Sequence, residues 1–100
     1  MHRVKITVIK KVEHTDIQKL YENPIEHACN VNVGDEFISD GWNKPEGFCG
    51  SAWESIQQFV RALGCGGANF YDGWMKDPNS ACISCNDGFR PVSFLLEAIE

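Results

Sequence analysis

Between positions 51 and 63 the chain carries the pattern that narrows its fold most: Trp53, Ile56, Phe59, Val60 and Leu63 recur at helical spacing and form one apolar stripe. Ser51 is placed to cap this helix, with Glu54 three residues on completing a capping box, and Gly64 or the Gly66-Gly67 pair ends it through a left-handed turn. A lone long helix must bury its stripe against other elements, and the remaining patterns are mostly those of strands. Residues 4–12 alternate, with Val4, Ile6 and Val8 on one face and Lys5, Thr7 and Ile9 on the other, as a half-buried strand does. Residues 33–38 suggest a turn entering a brief strand that Asp40-Gly41 closes. Residues 81–85 and 90–99 read as two strands of a C-terminal hairpin, joined by the turn chemistry of Asn86-Asp87-Gly88. A short helix begins at Thr15 or Asp16, runs through Ile17, Leu20 and Tyr21, and stops at Asn23-Pro24. This order predicts a single compact α+β domain over residues 1–100, with one long and one short helix on a mostly antiparallel sheet.

Two loops hold most of the remaining aromatic residues. Residues 41–49, with Gly41, Pro45 and Gly47, must fold back over the core to hide Trp42 and Phe48. Residues 69–80 set Phe70, Tyr71, Trp74 and Met75 among Asp72, Gly73, Asp77 and Pro78. Such a segment serves as a lid on the core, a pocket lining or a subunit contact.

Charge and size exclude several classes of function. Fourteen acidic against nine basic residues give a net charge of −5, so a phosphate backbone meets repulsion and nucleic acid is not an expected partner. No apolar run is long enough for a signal peptide or a membrane span, which makes the cytoplasm the expected location. At 100 residues one continuous core is the natural outcome. There are no internal repeats and no linker.

Cysteine is where chemistry could reside. There are five, at positions 29, 49, 65, 82 and 85. An odd number cannot pair completely, and a cytoplasmic address disfavours disulfides, so the thiols are expected to be reduced. Cys82 and Cys85 form a CxxC pair, which in a tight turn aims two sulfurs the same way but makes only half a metal site. Cys49 lies just before the long helix, where free amides and the helix dipole favour a thiolate, whereas Cys65 lies at the opposite end. Any one of the five, taken alone, also reads as a small buried hydrophobe.

Three segments together carry a resemblance: Val4-Lys5-Ile6-Thr7-Val8, then Lys44-Pro45-Glu46-Gly47-Phe48-Cys49, then Cys85-Asn86-Asp87-Gly88-Phe89-Arg90-Pro91-Val92. The chain resembles, nearly end to end, a group of small, largely uncharacterised prokaryotic proteins common in anaerobes, which share Pro-Glu-Gly-Phe-Cys and Cys-x-Asp-Gly-x-Arg-Pro-Val segments. That resemblance implies that Cys29, Cys49 and Cys85 occupy positions where such proteins have cysteine. In that group a second cysteine often precedes the one in the last segment; here Ser84 stands there and the additional thiol is Cys82.

The leading expectation is a metal or iron–sulfur site, with zinc or a cluster held by Cys29, Cys49, Cys82 and Cys85, and with Cys65 or His27 as substitutes for the fourth ligand. Its role would be structural, accessory or electron-transferring. Neither the two CxxC knuckles of a zinc ribbon nor the dense cysteine run of a ferredoxin is present. A second expectation is an oligomeric binding module, a homo-oligomer or partner of another protein or small ligand, that uses Trp42, Trp53, Phe70, Tyr71 and Trp74 while its cysteines are merely buried. A third is a thiol redox protein cycling Cys82 and Cys85, although this CxxC precedes a turn and a strand rather than a helix N-terminus. His2, His14 and His27 are scattered, so a Cys–His nucleophile would need the fold to bring His27 to Cys29 or Cys49; an exposed loop residue is the plainer reading. Arg90 is expected to clamp Glu46 or Asp87 or to bind a carboxylate ligand.

Overall fold

Val4, Ile6 and Val8 are fully buried while Lys5 and Thr7 between them are half-buried, so the alternation read from the sequence is the alternation of strand β1 (Val4–Lys11). The computed structural model describes residues 1–25 and 29–100. After β1 come α1 (Thr15–Tyr21), β2 (Glu36–Ser39), α2 (Gly50–Gly64), β3 (Ser80–Ser84) and β4 (Val92–Ala98). The four strands make one antiparallel sheet in the order β2-β1-β4-β3, and the architecture is α+β. A register shift between Val8 and Lys10 leaves Ile9, which is exposed on the face of Lys5 and Thr7, without a partner on β4.

Helix α2 covers one face of the sheet, burying Ala52, Trp53, Ile56, Val60 and Leu63 against Val4, Ile6, Val8, Ala81, Val92, Phe94 and Leu96. Its start differs from the sequence reading. The N-cap is Cys49, whose carbonyl accepts the Trp53 N–H at 2.9 Å, and Ser51 is the second helical residue, so no Ser51–Glu54 capping box forms. Buried Phe48 sets the entry: its ring packs at 4.9 Å on Phe37, 5.4 Å on Phe94 and 6.4 Å on Trp53, and this anchor starts the helix two residues early. The far end follows the glycine signal. Cys65 is the C-cap, Gly66 takes φ +89°, and the N–H groups of Gly66 and Gly67 return to the carbonyls of Leu63 and Ala62, a Schellman closure.

Gly41 and Gly64 touch backbone to backbone. A Cβ built on Gly64 would sit 2.7 Å from the Gly41 Cα, and Gly41 itself needs φ +99°. The 39–43 turn that carries Gly41 is bonded from within: Ser39 Oγ donates to the Asn43 carbonyl and accepts from the Gly41 N–H, while Asp40 accepts the amides of Trp42 and Asn43. Trp42 does not fold back over the core as the sequence suggested. It is about half exposed, and Arg61 lies over its ring at 4.6 Å while donating to its carbonyl. The guanidinium face shields the indole in place of the core.

Helix α1 buries no residue, and Leu20 and Tyr21 are exposed. Polar bonds dock it instead: the His14 N–H and the Gln18 side chain both donate to the Phe89 carbonyl. Among the described residues no helix is long and apolar enough to cross a membrane.

A candidate thiol cleft

Cys29, Cys49 and Cys85 line one cleft of about 770 Å³, together with Val31, Phe48, Ala52, Asp87 and Arg90. Each thiol arrives from a different part of the chain. Cys49 stands at the N-cap of α2, and its side chain makes no capping hydrogen bond. Cys85 follows the last residue of β3 and keeps the strand's pairing: its N–H donates to the Val92 carbonyl at 2.9 Å, and its Sγ accepts the Val92 N–H at 3.3 Å. Cys29 lies in a stretch tied down by Lys11, whose ammonium donates to the Val31 carbonyl at 2.8 Å and to that of Cys29 at 3.5 Å. A smaller depression of about 390 Å³ adjoins the cleft, sharing Cys29, Arg90 and Val92 and adding Lys11, Val12 and Glu13.

The other two cysteines are elsewhere. Alternate residues of a strand point to opposite faces, so Ala81, Ile83 and Cys85 pack toward the core beneath α2 while Cys82 turns to the other face with its cross-strand partner Leu95. The CxxC pair is therefore split by the sheet. Sequence reasoning took the two sulfurs to aim together, which needs a turn; here the first is inside β3. Cys65 caps the opposite end of α2, roughly 22 Å along a 15-residue helix from Cys49. The four-cysteine set of Cys29, Cys49, Cys82 and Cys85 is thus gathered only in its first, second and fourth members. His27 lies outside the described residues. Among the described residues no three His, Cys, Asp or Glu side chains close on a point that would hold one metal ion, and all five cysteines are free thiols.

Arg90 organises one wall. Its Nη1 donates to both carboxylate oxygens of Glu22 at 2.8 Å, its Nε to Glu13 at 3.3 Å and its Nη2 to Gln18 at 3.2 Å. The Glu22 carboxylate, through these bonds, holds the guanidinium above its ordinary pKa, with Glu13 adding to the effect. Neither Glu46 nor the Asp87 side chain pairs with the guanidinium as the sequence reading had it. Asp87 acts on the backbone, accepting the amides of Phe89 and Arg90 at 2.8 and 3.1 Å. Two carboxylates already neutralise Arg90, so its work is to pin the 86–91 turn to α1 rather than to receive an anionic ligand.

The sequence reading missed Lys11 and the partners of Arg90, because these contacts join residues 18 to 77 positions apart and leave no local period. It also missed Phe48 and Val31 as cleft walls, though the Gly-Phe-Cys order placed an aromatic beside the thiol. No family model, no curated protein and no solved structure matches this chain.

Proposed function

We propose that this cleft binds a thiophilic metal centre, an iron–sulfur cluster in preference to a single zinc ion, through Cys29, Cys49 and Cys85, and that the protein serves as a small cytoplasmic accessory or electron-transfer component. The observation that carries this reading is the arrival of three thiols from three separate segments at one cleft while the other two cysteines lie away from it. Soft sulfur donors suit iron–sulfur clusters and zinc alike. A [4Fe–4S] cluster takes one thiolate per iron and so spreads its ligands more widely than a single zinc ion, whose sulfurs lie about 2.3 Å from one point, and a 770 Å³ cleft has room for that spread. When bound, such a cluster would supply one-electron chemistry or a structural staple. The chain's part is to present the sulfurs: the Val92 amide holds the Cys85 sulfur, Lys11 holds the Cys29 stretch, and the Arg90 clamp fixes the turn between Cys85 and β4. The resemblance noted above supports the same three positions.

A second reading, an oligomeric binding module, is favoured by the exposure of Tyr71 and Trp74, two large aromatics in edge-to-face contact at 5.2 Å. Both readings can hold in one molecule.

Anaerobic purification and reconstitution with ferrous iron and sulfide test the first. Bound iron, acid-labile sulfide and visible absorption are expected in the wild type and in Cys82→Ser, and are lost when Cys29, Cys49 and Cys85 are all changed to Ser. Far-UV circular dichroism checks that the triple variant keeps its fold. A colourless, metal-free wild type, or a folded triple variant that retains iron, removes the proposal.

A further inference from the structure

We propose that Asp87 is the fourth ligand of the centre held by Cys29, Cys49 and Cys85, binding iron through its Oδ2, so that the site joins one oxygen donor to three sulfurs. The inference rests on the cluster reading of the cleft and supplies the donor that three thiols leave open. A [4Fe–4S] cluster takes one protein ligand per iron, so three cysteines leave one iron without a partner. Neither Cys65 nor Cys82 lines the cleft. Among the described residues that do line it, Asp87 is the one carboxylate, and no imidazole is present.

Asp87 stands two residues after Cys85, in the connection from β3 to β4. Its two oxygens are used differently. Oδ1 accepts the amides of Phe89 and Arg90 at 2.8 and 3.1 Å, which fixes the carboxylate on the turn. Among the described residues no hydrogen bond reaches Oδ2 and no cation pairs with the side chain. Arg90 is the obvious claimant, being the one cation among the described residues lining the cleft. Its guanidinium is turned instead to Glu22, Glu13 and Gln18. The clamp on α1 therefore leaves the lone pairs of Oδ2 unclaimed.

Cys85 is oriented in the same manner, through the Val92 amide on its sulfur at 3.3 Å. One connection thus carries a sulfur donor and an oxygen donor, each set by backbone amides. Iron accepts carboxylate as well as thiolate, the carboxylate being the harder donor.

Asp87→Asn separates the two roles of the side chain. The amide oxygen still accepts from Phe89 and Arg90, while an NH2 group that can only donate replaces Oδ2. After anaerobic reconstitution with ferrous iron and sulfide, the wild type is expected to hold a four-iron cluster. The variant should bind at least about a quarter less iron, as one ligand of four is lost, with circular dichroism unchanged. Any cluster it keeps should show the electron paramagnetic resonance signal of an oxidised three-iron centre. If Asp87→Asn does not fold, Asp87→Cys decides in its place: the iron content is kept, and the resonance of the dithionite-reduced cluster shifts because a thiolate has replaced the oxygen. A folded Asp87→Asn with wild-type iron and spectrum, an Asp87→Cys spectrum identical to that of the wild type, or a wild type that itself stops at three irons overturns the role of Asp87 and leaves the three-cysteine reading standing. A wild type that takes up no iron overturns both.

Discussion

The two ends of α2 each carry a cysteine, and their surroundings differ in kind. At the start, Cys49 opens onto a large cleft shared with two other thiols, above a packed cluster of Phe37, Phe48, Trp53 and Phe94. At the finish, Cys65 is exposed within the Schellman turn, and the helix is pressed against the 39–43 turn through Gly41 and Gly64. One end is held by aromatic volume and opens on the larger cleft; the other is held by backbone contact and borders a depression of about 290 Å³ that no cysteine lines. A cysteine acquires a role from the space around it, which residue type alone does not convey.

The largest effect expected from probing this contrast is on bound iron. Cys49→Ser should cost the reconstituted protein most of its iron, whereas Cys65→Ser should leave the iron-to-protein ratio as in the wild type; equal loss from both would erase the functional difference between the ends. Stability should respond next, at the aromatic end. Phe48→Ala removes a ring that touches three others and is expected to lower the unfolding free energy by about 3–5 kcal/mol in urea titrations. Gly64→Ala attacks the other end by forcing a Cβ into the Gly41 backbone, an overpacking worth about 1–3 kcal/mol by the same measurement. If Gly64→Ala proves neutral, the close approach is not what seats that end.

The smallest effect concerns Asp40, whose carboxylate is held below its ordinary pKa by hydrogen bonds from the Asn43 amide, the Asn43 side chain and the Trp42 amide. A carboxylate with a depressed folded-state pKa favours the folded state above its unfolded value, near 3.9, and that contribution disappears as pH falls through the lower folded-state value. Wild type and Asp40→Ala should therefore differ slightly in unfolding midpoint at neutral pH and converge in acid. A gap that widens on acidification would contradict this assignment.

Much of the fold was legible because it follows local periods. The alternation at 4–8, the stripe from Trp53 to Leu63 and the Asn-Asp-Gly turn each report burial within one element, and β1, α2 and the β3–β4 hairpin follow them. What failed depended on contacts between elements. Ser51 had the chemistry of a cap, but the anchoring of Phe48 determined where the helix begins. Trp42 had the size of a core residue, yet Arg61 supplied its shield. For the site, Cys29, Cys49, Cys82 and Cys85 were expected together, the first, second and fourth on the resemblance; those three line one cleft, whereas the place of Cys82 turned on one question, whether residues 82–85 bend or extend. A strand gives opposite faces to positions three apart, and β3 extends through Ser84.

Strand β1 hydrogen-bonds along most of its length to β4, although more than eighty residues separate them. Contacts this distant in sequence close late and slowly during folding. On the ribosome, which releases residues in order, the stripe of α2 and the thiols at 29 and 49 emerge well before β4 can complete the sheet or Cys85 can join them. A metal centre that needs all three would have to be installed after synthesis has passed residue 98, so timing alone would favour delivery to the finished domain over capture by the growing one.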